Sequence, residues 1–326
     1  MRKNPIPLFF LFTLISISPM AIVRAESFVI TLTASKQYYC LDETVYIYGN
    51  LTLDDVQIND TLVGLEVENP KNQSILVRTV ATGDVSNKSW FIEVLNVIAC
   101  DQYGNPKDSF TRGGLSYFKA SVKNNDIENR PVEITINTYD SSNSPIGLSA
   151  FQSVIYANET TTIIISVAVP TTATLGMAKV YANVYSSRPK YGGKPFGPEK
   201  SNEFNITDST GSLGEPAENV PPLNGNFNSS FHLPPTTNAG TFQIFASSMY
   251  DGWTAVNSTV FYVKVPGDVN GDFRVNLADL SLLGMAWWST PSSPNWNPNC
   301  DFNQDNRVNL ADLSVFGQYW GYTPSA

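Results

Sequence analysis

Two short acidic stretches near the C-terminus carry the residue types best suited to chemistry, "GDVNGDFRVNLADLSLLGMAWW" from Gly267 and "CDFNQDNRVNLADLSVFGQYWG" from Cys300. Asp268, Asn270, Asp272, Arg274, Asn276 and Asp279 fall at positions 1, 3, 5, 7, 9 and 12 of a loop, and Asp301, Asn303, Asp305, Arg307, Asn309 and Asp312 repeat that spacing. A large, hard cation such as Ca²⁺ takes about six to eight oxygen ligands. This pattern supplies them from carboxylates, amides, the main-chain carbonyl at position 7 and the last acid. Arg274 and Arg307 then contribute only backbone, so their charge is no obstacle. A merely solvated acidic turn has no reason to keep one spacing twice. The expectation is two Ca²⁺ ions, one per loop.

Each loop runs straight into a helix. Asn276 and Asn309 are suited to cap it, with Asp279 and Asp312 three residues on, near the positive helix end. Leu280, Leu283 and Trp287 recur at helical spacing, as do Leu313, Phe316 and Trp320, giving each helix one apolar stripe. Nothing helical enters either loop: "FYVKVPG" reads as a strand and "PSSPNWNPNC" is broken by proline. A duplicated loop-helix written "GDVNGD…VN…DL" resembles a type I dockerin over residues 267–321. The resemblance implies a calcium-dependent plug for a cohesin module on a scaffold or surface protein, with two similar faces. It also implies partner contacts at Leu277, Ala278, Leu310 and Ala311, and further along each helix at Met285 and Gln318. Both copies present Leu-Ala where a hydroxyl pair is usual, so recognition should be more apolar. At loop position 6, where glycine is common, stand Phe273 and Asn306. Phe is the poorer fit to a positive φ, so the first site should be weaker or differently shaped.

The elements that must carry this module come before it. A chain of 326 residues exceeds one ordinary core. A composition with 42% hydrophobic residues, 21 Gly and 21 Pro suits β-rich domains with many turns. The net charge of -9, with no Lys/Arg cluster, argues against nucleic acid. Residues 1–25 read as a signal peptide: Arg2 and Lys3, an apolar run from Leu8 to Ile15 broken only by Thr13, and Val23-Arg24-Ala25 at the cleavage site. An uncleaved anchor is the alternative, and no other run reaches spanning length. Sequons at Asn50, Asn59, Asn72, Asn87, Asn158, Asn205, Asn228 and Asn257 accord with export. The expected location is therefore extracellular, with surface attachment through the partner. Three cysteines, Cys40, Cys100 and Cys300, are too few for a disulfide framework, and a Cys40–Cys100 bridge stays open.

From Ser27 onward the chain reads as short strands separated by Asn, Asp, Gly and Pro turns, as in "FVITLT", where Phe28, Ile30 and Leu32 share one face. The wording "ASKQYYCLDETVYIYGNLT…LVGLEVENPKNQSI" resembles macroglobulin-type immunoglobulin-like domains. "ASVKNNDIENRPVEITINTYDSSNSPIG…VIYANETTTIIISVAVP" resembles CARDB-type ones. The first segment has too few strands for a sandwich, and so have "FNSSFHLP", "GTFQIFASSMYDG" and "STVFYVKVP". One sandwich split between residues 26–85 and 210–265, with a CARDB-like sandwich of residues 86–207 inserted in a loop, resolves both shortages. Residues 266–326 then form the dockerin. Three consecutive sandwiches (26–85, 86–207, 210–265) are the alternative. The fold class expected is mainly β, immunoglobulin-like sandwiches followed by a small helical module.

No catalytic constellation emerges from the sandwiches. His232, the only histidine, has no ligand or acid at useful spacing. Glu66 and Glu68 share a strand face with Leu65 and Val67 opposite, which predicts a solvated acidic face. Glu93, Asp101, Asp108 and Glu133 are scattered, and a glycosidase pair would need tertiary contacts. Ser116 and Lys119 match Ser-x-x-Lys but point to opposite faces of a strand. Tyr38, Tyr39, Tyr46 and Tyr48 are candidates for a carbohydrate platform or for ordinary sheet packing. The expected function is non-catalytic adhesion or display with cohesin docking. The alternative is a carbohydrate-binding or polysaccharide-degrading component of a cellulosome-like assembly.

Overall fold

Alternation of β-branched and aromatic residues with polar ones, interrupted every few residues by turn formers, produces the strands. The computed structural model describes residues 27–208, 225–303 and 305–323. The expected signal peptide and most of the link from 208 to 226 lie outside the described residues. In chain order the first strands are β1 (Phe28–Ala34), β2 (Tyr38–Cys40), β3 (Thr44–Leu53), β4 (Val56–Gln57), β5 (Leu62–Glu68) and β6 (Ser74–Ala81). Next come β7 (Ile92–Cys100), β8 (Ser109–Thr111), β9 (Leu115–Asn124), β10 (Arg130–Tyr139), β11 (Pro145–Ile155), β12 (Thr160–Ala168), β13 (Gly176–Tyr185) and β14 (Lys200–Thr207). The chain closes with β15 (Asn226–His232), β16 (Gly240–Tyr250), β17 (Trp253–Lys264) and the helices α1 (Leu277–Met285) and α2 (Leu310–Gln318). The architecture is mainly β with two short C-terminal helices. Among the described residues no helix is long and apolar enough to cross a membrane.

Strands far apart in sequence share sheets. One sheet runs β1-β3-β15 with β4 on β3, and the sheet facing it runs β2-β17-β16-β5-β6. β15 lies antiparallel to β3 with Phe231 opposite Val45, and β16 lies antiparallel to β5 with Ala246 opposite Leu65. Gly49 permits this: a Cβ there would sit 2.1 Å from the Thr31 carbonyl oxygen and 2.2 Å from the Phe227 ring. Asp251 and Gly252, both at positive φ, turn β16 into β17 as a two-residue hairpin demands. The inner faces bury Val45, Ile47, Leu65, Val67, Phe231, Phe242 and Phe261. Strands β7 to β14 make the other pair of sheets, β11-β10-β13-β14-β8 and β12-β9-β7. Their core is drawn from residues 92 to 206, with Phe110, Phe118 and Phe204 in mutual ring contact.

The two sandwiches are joined at β6, the free edge of its sheet. Val77 N–H donates to Asn137 Oδ1 at 2.6 Å, and Asn183 Nδ2 donates to the Val77 carbonyl at 3.3 Å, so buried amides complete the edge. An open edge invites pairing with other chains, and this one is covered. Beside it Arg78 forks onto Glu199 through Nε at 2.8 Å and Nη2 at 2.6 Å, and lies 3.4 Å from the centroid of Tyr181.

That junction corrects the expectation for β5. Glu66 and Glu68 are buried rather than solvated, because residues 188–190 cover that face. Glu66 accepts from Arg188 Nη1 at 3.0 Å and from the Lys190 backbone N–H at 3.1 Å, while Lys190 Nζ pairs with Glu68. Arg188 also reaches Glu133 at 3.0 Å. Buried charge is tolerable only when paired in this way. Cys40 and Cys100, in different sandwiches, are free thiols, as is Cys300.

Candidate metal centre

The helices begin where Asn276 and Asn309 meet the last acid of each loop. Ala278 N–H donates to Asn276 Oδ1 at 2.8 Å, and Asn276 N–H donates to Asp279 Oδ2 at 3.0 Å. The second copy repeats this, Ala311 to Asn309 at 2.7 Å and Asn309 to Asp312 at 2.8 Å. Reciprocal bonds of this kind satisfy donors that a helix start otherwise leaves free. β17 leads into the first loop and a single 3₁₀ turn, Pro298–Cys300, into the second. Leu283 and Phe316 are buried between the repeats, with Leu280 and Leu313 half-buried beside them. The apolar stripe is shorter than its spacing implies. Both helices stop before the tryptophans, so Trp287 and Trp320 lie past the last turn and Trp320 is exposed.

Within each loop the side chains at ligand positions fold back onto the loop's own amides. Asp268 Oδ1 accepts from Gly271 and Asp272 N–H at 2.8 and 3.1 Å, and its Oδ2 from Phe273 N–H at 2.8 Å. Asp301 accepts from Asp305 at 3.1 Å and Asn306 at 2.9 Å. Asn270 and Asn303 each accept from the residue two further on, Asp272 and Asp305, at 2.9 and 3.1 Å. Asp272 and Asp305 in turn accept from Arg274 and Arg307 at 2.9 Å. Asp279 Oδ1 accepts from Val269 N–H at 2.9 Å, and Asp312 Oδ1 from Phe302 N–H at 2.8 Å. The whole acidic sequence is thereby held in one compact turn.

The electrostatics of that turn are unbalanced. Asp279 and Asp312 are 0% exposed, and among the described residues none of the six loop aspartates pairs with Lys, Arg or His. A buried carboxylate without a counter-charge is costly, and an oxygen-rich donor set fits a hard divalent cation as that counter-charge. Burial pushes the Asp268 carboxyl up, the N–H groups of Phe273 and Gly271 draw it down, and the charges of Asp279 and Asp272 push it up again. Among the described residues no three Asp, Glu, His or Cys side chains gather as a metal cluster. The candidate donors in each loop are Asn amides and main-chain oxygens as well as carboxylates. Cys300 is buried against this centre, and burial, aided by Asp312 and Asp279, pushes its thiol up to about 11.

Position 6 is left-handed in both loops, Phe273 at φ 62° and Asn306 at φ 64°. The two residues share this conformation at position 6, and the strain of it falls on Phe273. An aromatic side chain in that region costs about 1–2 kcal/mol, while Asn tolerates it. Phe273→Gly should therefore stabilise the calcium-loaded module by roughly 1 kcal/mol, and Asn306→Gly by much less, in denaturant melts followed by helical circular dichroism. Equal effects at the two positions would refute this account of the strain.

Residues implied as partner contacts are all at the surface. Leu277 and Leu310 are each 67% exposed and Met285 65% exposed, and Ala278, Ala311 and Gln318 are also open. Leu277, Ala278 and Met285 lie on α1, and Leu310, Ala311 and Gln318 on α2. Two residues escaped sequence reasoning. Trp288 is 74% exposed at φ 58°, and Tyr319 packs against the first sandwich as well as the helices. The only available signal was the mismatch between the copies, Trp288 against Gly321 and Ala286 against Tyr319.

Elsewhere among the sequence candidates, Glu66 and Glu133 meet across the Arg188 guanidinium. His232 Nε2 lies 3.1 Å from Asp42 Oδ1 at a strand end. Ser116 is buried and donates to the Val167 carbonyl at 2.9 Å. Tyr39 is buried against Phe261, whereas Tyr46 and Tyr48 are exposed and stacked, with centroids 6.5 Å apart and planes at 13°.

Residues 266–319 match the family described as Dockerin type I domain. No curated protein matches the chain. Solved structures with partial likeness include an alkylpurine DNA glycosylase from Pseudomonas fluorescens bound to DNA containing an abasic site analogue. There the identity is 12% and the TM-score 0.27, over 37% of this chain and 32% of that one. A cycloisomaltooligosaccharide glucanotransferase from Paenibacillus sp. shows 15% identity and a TM-score of 0.25 over 36% of this chain and 14% of that one. The CARDB domain of a Pyrococcus furiosus protein, in complex with di-metal ions, shows 12% identity and a TM-score of 0.25 over 37% of this chain and 100% of that one. This chain thus spans a minor part of the two larger proteins. Likenesses this slight leave the fold to be read from its own strands.

Proposed function

We propose that this is an exported, non-catalytic adhesion or display protein that docks to a cohesin-bearing scaffold or surface protein through a calcium-loaded dockerin. The observation that carries the reading is the pair of fully buried carboxylates, Asp279 and Asp312, closing two acidic loops of one spacing, with no cationic side chain paired to them among the described residues. Asp268, Asn270, Asp272, the Arg274 carbonyl, Asn276 and Asp279 would hold one Ca²⁺. Asp301, Asn303, Asp305, the Arg307 carbonyl, Asn309 and Asp312 would hold the other. The ion supplies the positive charge that the loop lacks. The protein's own part is to cap α1 and α2 on the same acids, so that loop and helix stand or fall together. Strand pairing between residues 28–81 and 226–264 supports a split macroglobulin-type sandwich, residues 26–85 with 210–265, carrying the CARDB-like sandwich of residues 86–207 as an insertion. In this reading the sandwiches present the module at the cell surface, and secretion follows from the segment 1–25.

A second reading, a carbohydrate-binding component, draws on one observation, the exposed stacked pair Tyr46 and Tyr48. Titration calorimetry of the exported chain against purified cohesin modules, in calcium and in chelator, separates the two when run beside a glycan array. Binding that needs calcium, with a silent array, is the expected result. A chain that ignores every cohesin but binds a polysaccharide would replace the first reading with the second.

A further inference from the structure

We infer that the two matched faces of the repeat are not equivalent in this protein, and that a cohesin module seats on the α1 face with Trp288 as an added anchor. This rests on the docking reading above and narrows it to one orientation. The faces agree at their N-terminal ends, where Leu277, Ala278 and Ser281 are exposed on α1 as Leu310, Ala311 and Ser314 are on α2. They part at the C-terminal ends. Met285 stands opposite Gln318, and Trp288 opposite Gly321.

The Trp288 position is a built left-handed turn. Trp288 N–H donates to the Val308 carbonyl at 2.9 Å, and Gly321 N–H donates to the Val275 carbonyl at the same distance, so each repeat's exit is tied to the other's loop. Gly321 takes this turn at φ 80° without strain, as only glycine does freely. Trp288 takes it at φ 58° with a large side chain that is 74% exposed. Folding therefore bears a strained residue whose indole meets Trp287 edge-on and otherwise stays in solvent. Exposed tryptophan is also the residue most enriched among binding hot spots, and strain kept at a surface points to use there.

A second, independent observation comes from the sandwich. Tyr319, which ends α2, packs against the core of the first sandwich, and Ala239 N–H donates to Tyr322 Oη at 3.4 Å. The corresponding residue after α1, Ala286, is buried inside the module. The residue just past α2, Tyr319, thus borders the protein's own sandwich beside the exposed Gln318, whereas the far end of the α1 face, Met285 and Trp288, borders solvent. A globular module covering a helix from its first turn to its end would meet the sandwich beside the end of α2, and solvent beyond the end of α1. Met285 and Trp288 there present an apolar surface, so the cohesin that fits should offer an apolar patch opposite them.

The test uses the full-length exported chain in calcium with one purified cohesin module. Hydroxyl-radical footprinting of the complex should protect Leu277, Met285 and Trp288 and leave Leu310 and Gln318 as reactive as in the free chain. Trp288→Gly, which copies the residue of the second repeat, should lower affinity by roughly tenfold or more. Its helical signal in calcium should persist. Equal protection of both faces, or protection of α2 alone, overturns the inference while leaving cohesin docking intact. Unchanged affinity in a folded Trp288→Gly protein overturns it too. Protection of Trp288 in the chain without cohesin, lost on dilution, would assign the face to a second copy and likewise overturn it. Absence of any cohesin binding by the unaltered protein removes the docking reading and this inference together.

Discussion

Chelating calcium should abolish the helical signal of α1 and α2 and the binding of cohesin, while the two sandwiches melt as before. The module spans only residues 266–323 of the described chain, and its core is small, chiefly Val269, Val275, Leu283, Val308 and Phe316 with Ala239 and Val265 at the border. A core of this size is marginal without a staple. Each loop carries three carboxylates along its length, and in the first loop the charges of Asp279 and Asp272 bear on Asp268, so repulsion opposes the compact turn. A ligand that binds only the native state at a hundredfold excess over its Kd adds about 2.7 kcal/mol per site, so two sites decide whether the module folds. Asp279→Ala combined with Asp312→Ala should reproduce the effect in full calcium. Asp279 alone accepts the N–H groups of Val269, Asn270 and Asn276, and each donor left buried and unmet costs about 1–3 kcal/mol. Calorimetric titration with calcium, followed by circular dichroism, checks the prediction. No heat of binding, or a module equally helical in chelator, would show that the repeat is not a metal site.

Arg78→Ala should cost about 3–5 kcal/mol and separate the unfolding of the two sandwiches. Arg78 is the cation at the centre of their junction, 6% exposed, forked onto Glu199 and stacked on Tyr181. Glu199 also accepts Thr79 N–H at 3.2 Å, so removing the guanidinium strands a mostly buried carboxylate against β6. Because that penalty comes from the charge left behind, Arg78→Met with Glu199→Leu should be far milder than Arg78→Ala alone. Denaturant unfolding should change from one transition to two in the single variant. A single transition within about 1 kcal/mol of the unaltered protein would mean that the amides of Asn137 and Asn183 and the ion pairs of Arg188 and Lys190 carry the junction instead.

The repeated acidic loop with its helix, the caps and the β-rich class were legible because they are local. Loop positions 1 to 12 and the N-cap with its acid three residues on lie within one turn of chain, so Asn276 and Asp279 declare their relation by spacing alone. Alternation of period two likewise placed Phe28, Ile30 and Leu32 of β1 on one face. What depends on a second surface was not legible. Glu66 and Glu68 read as solvated because alternation reports only the strand's own core, and nothing near them announced that Arg188 and Lys190 would cover the other face. Tyr46 and Tyr39 sit in similar local sequence, yet one is 46% exposed and the other 1%, since only Tyr39 meets Phe261. The inequality of the repeat's two faces is of the same kind. Its residues, Trp288 against Gly321 and Ala286 against Tyr319, were visible as mismatches, but their meaning waited on where the first sandwich lay. A contact between residues distant in sequence leaves no periodicity behind, so only the tertiary structure decides it.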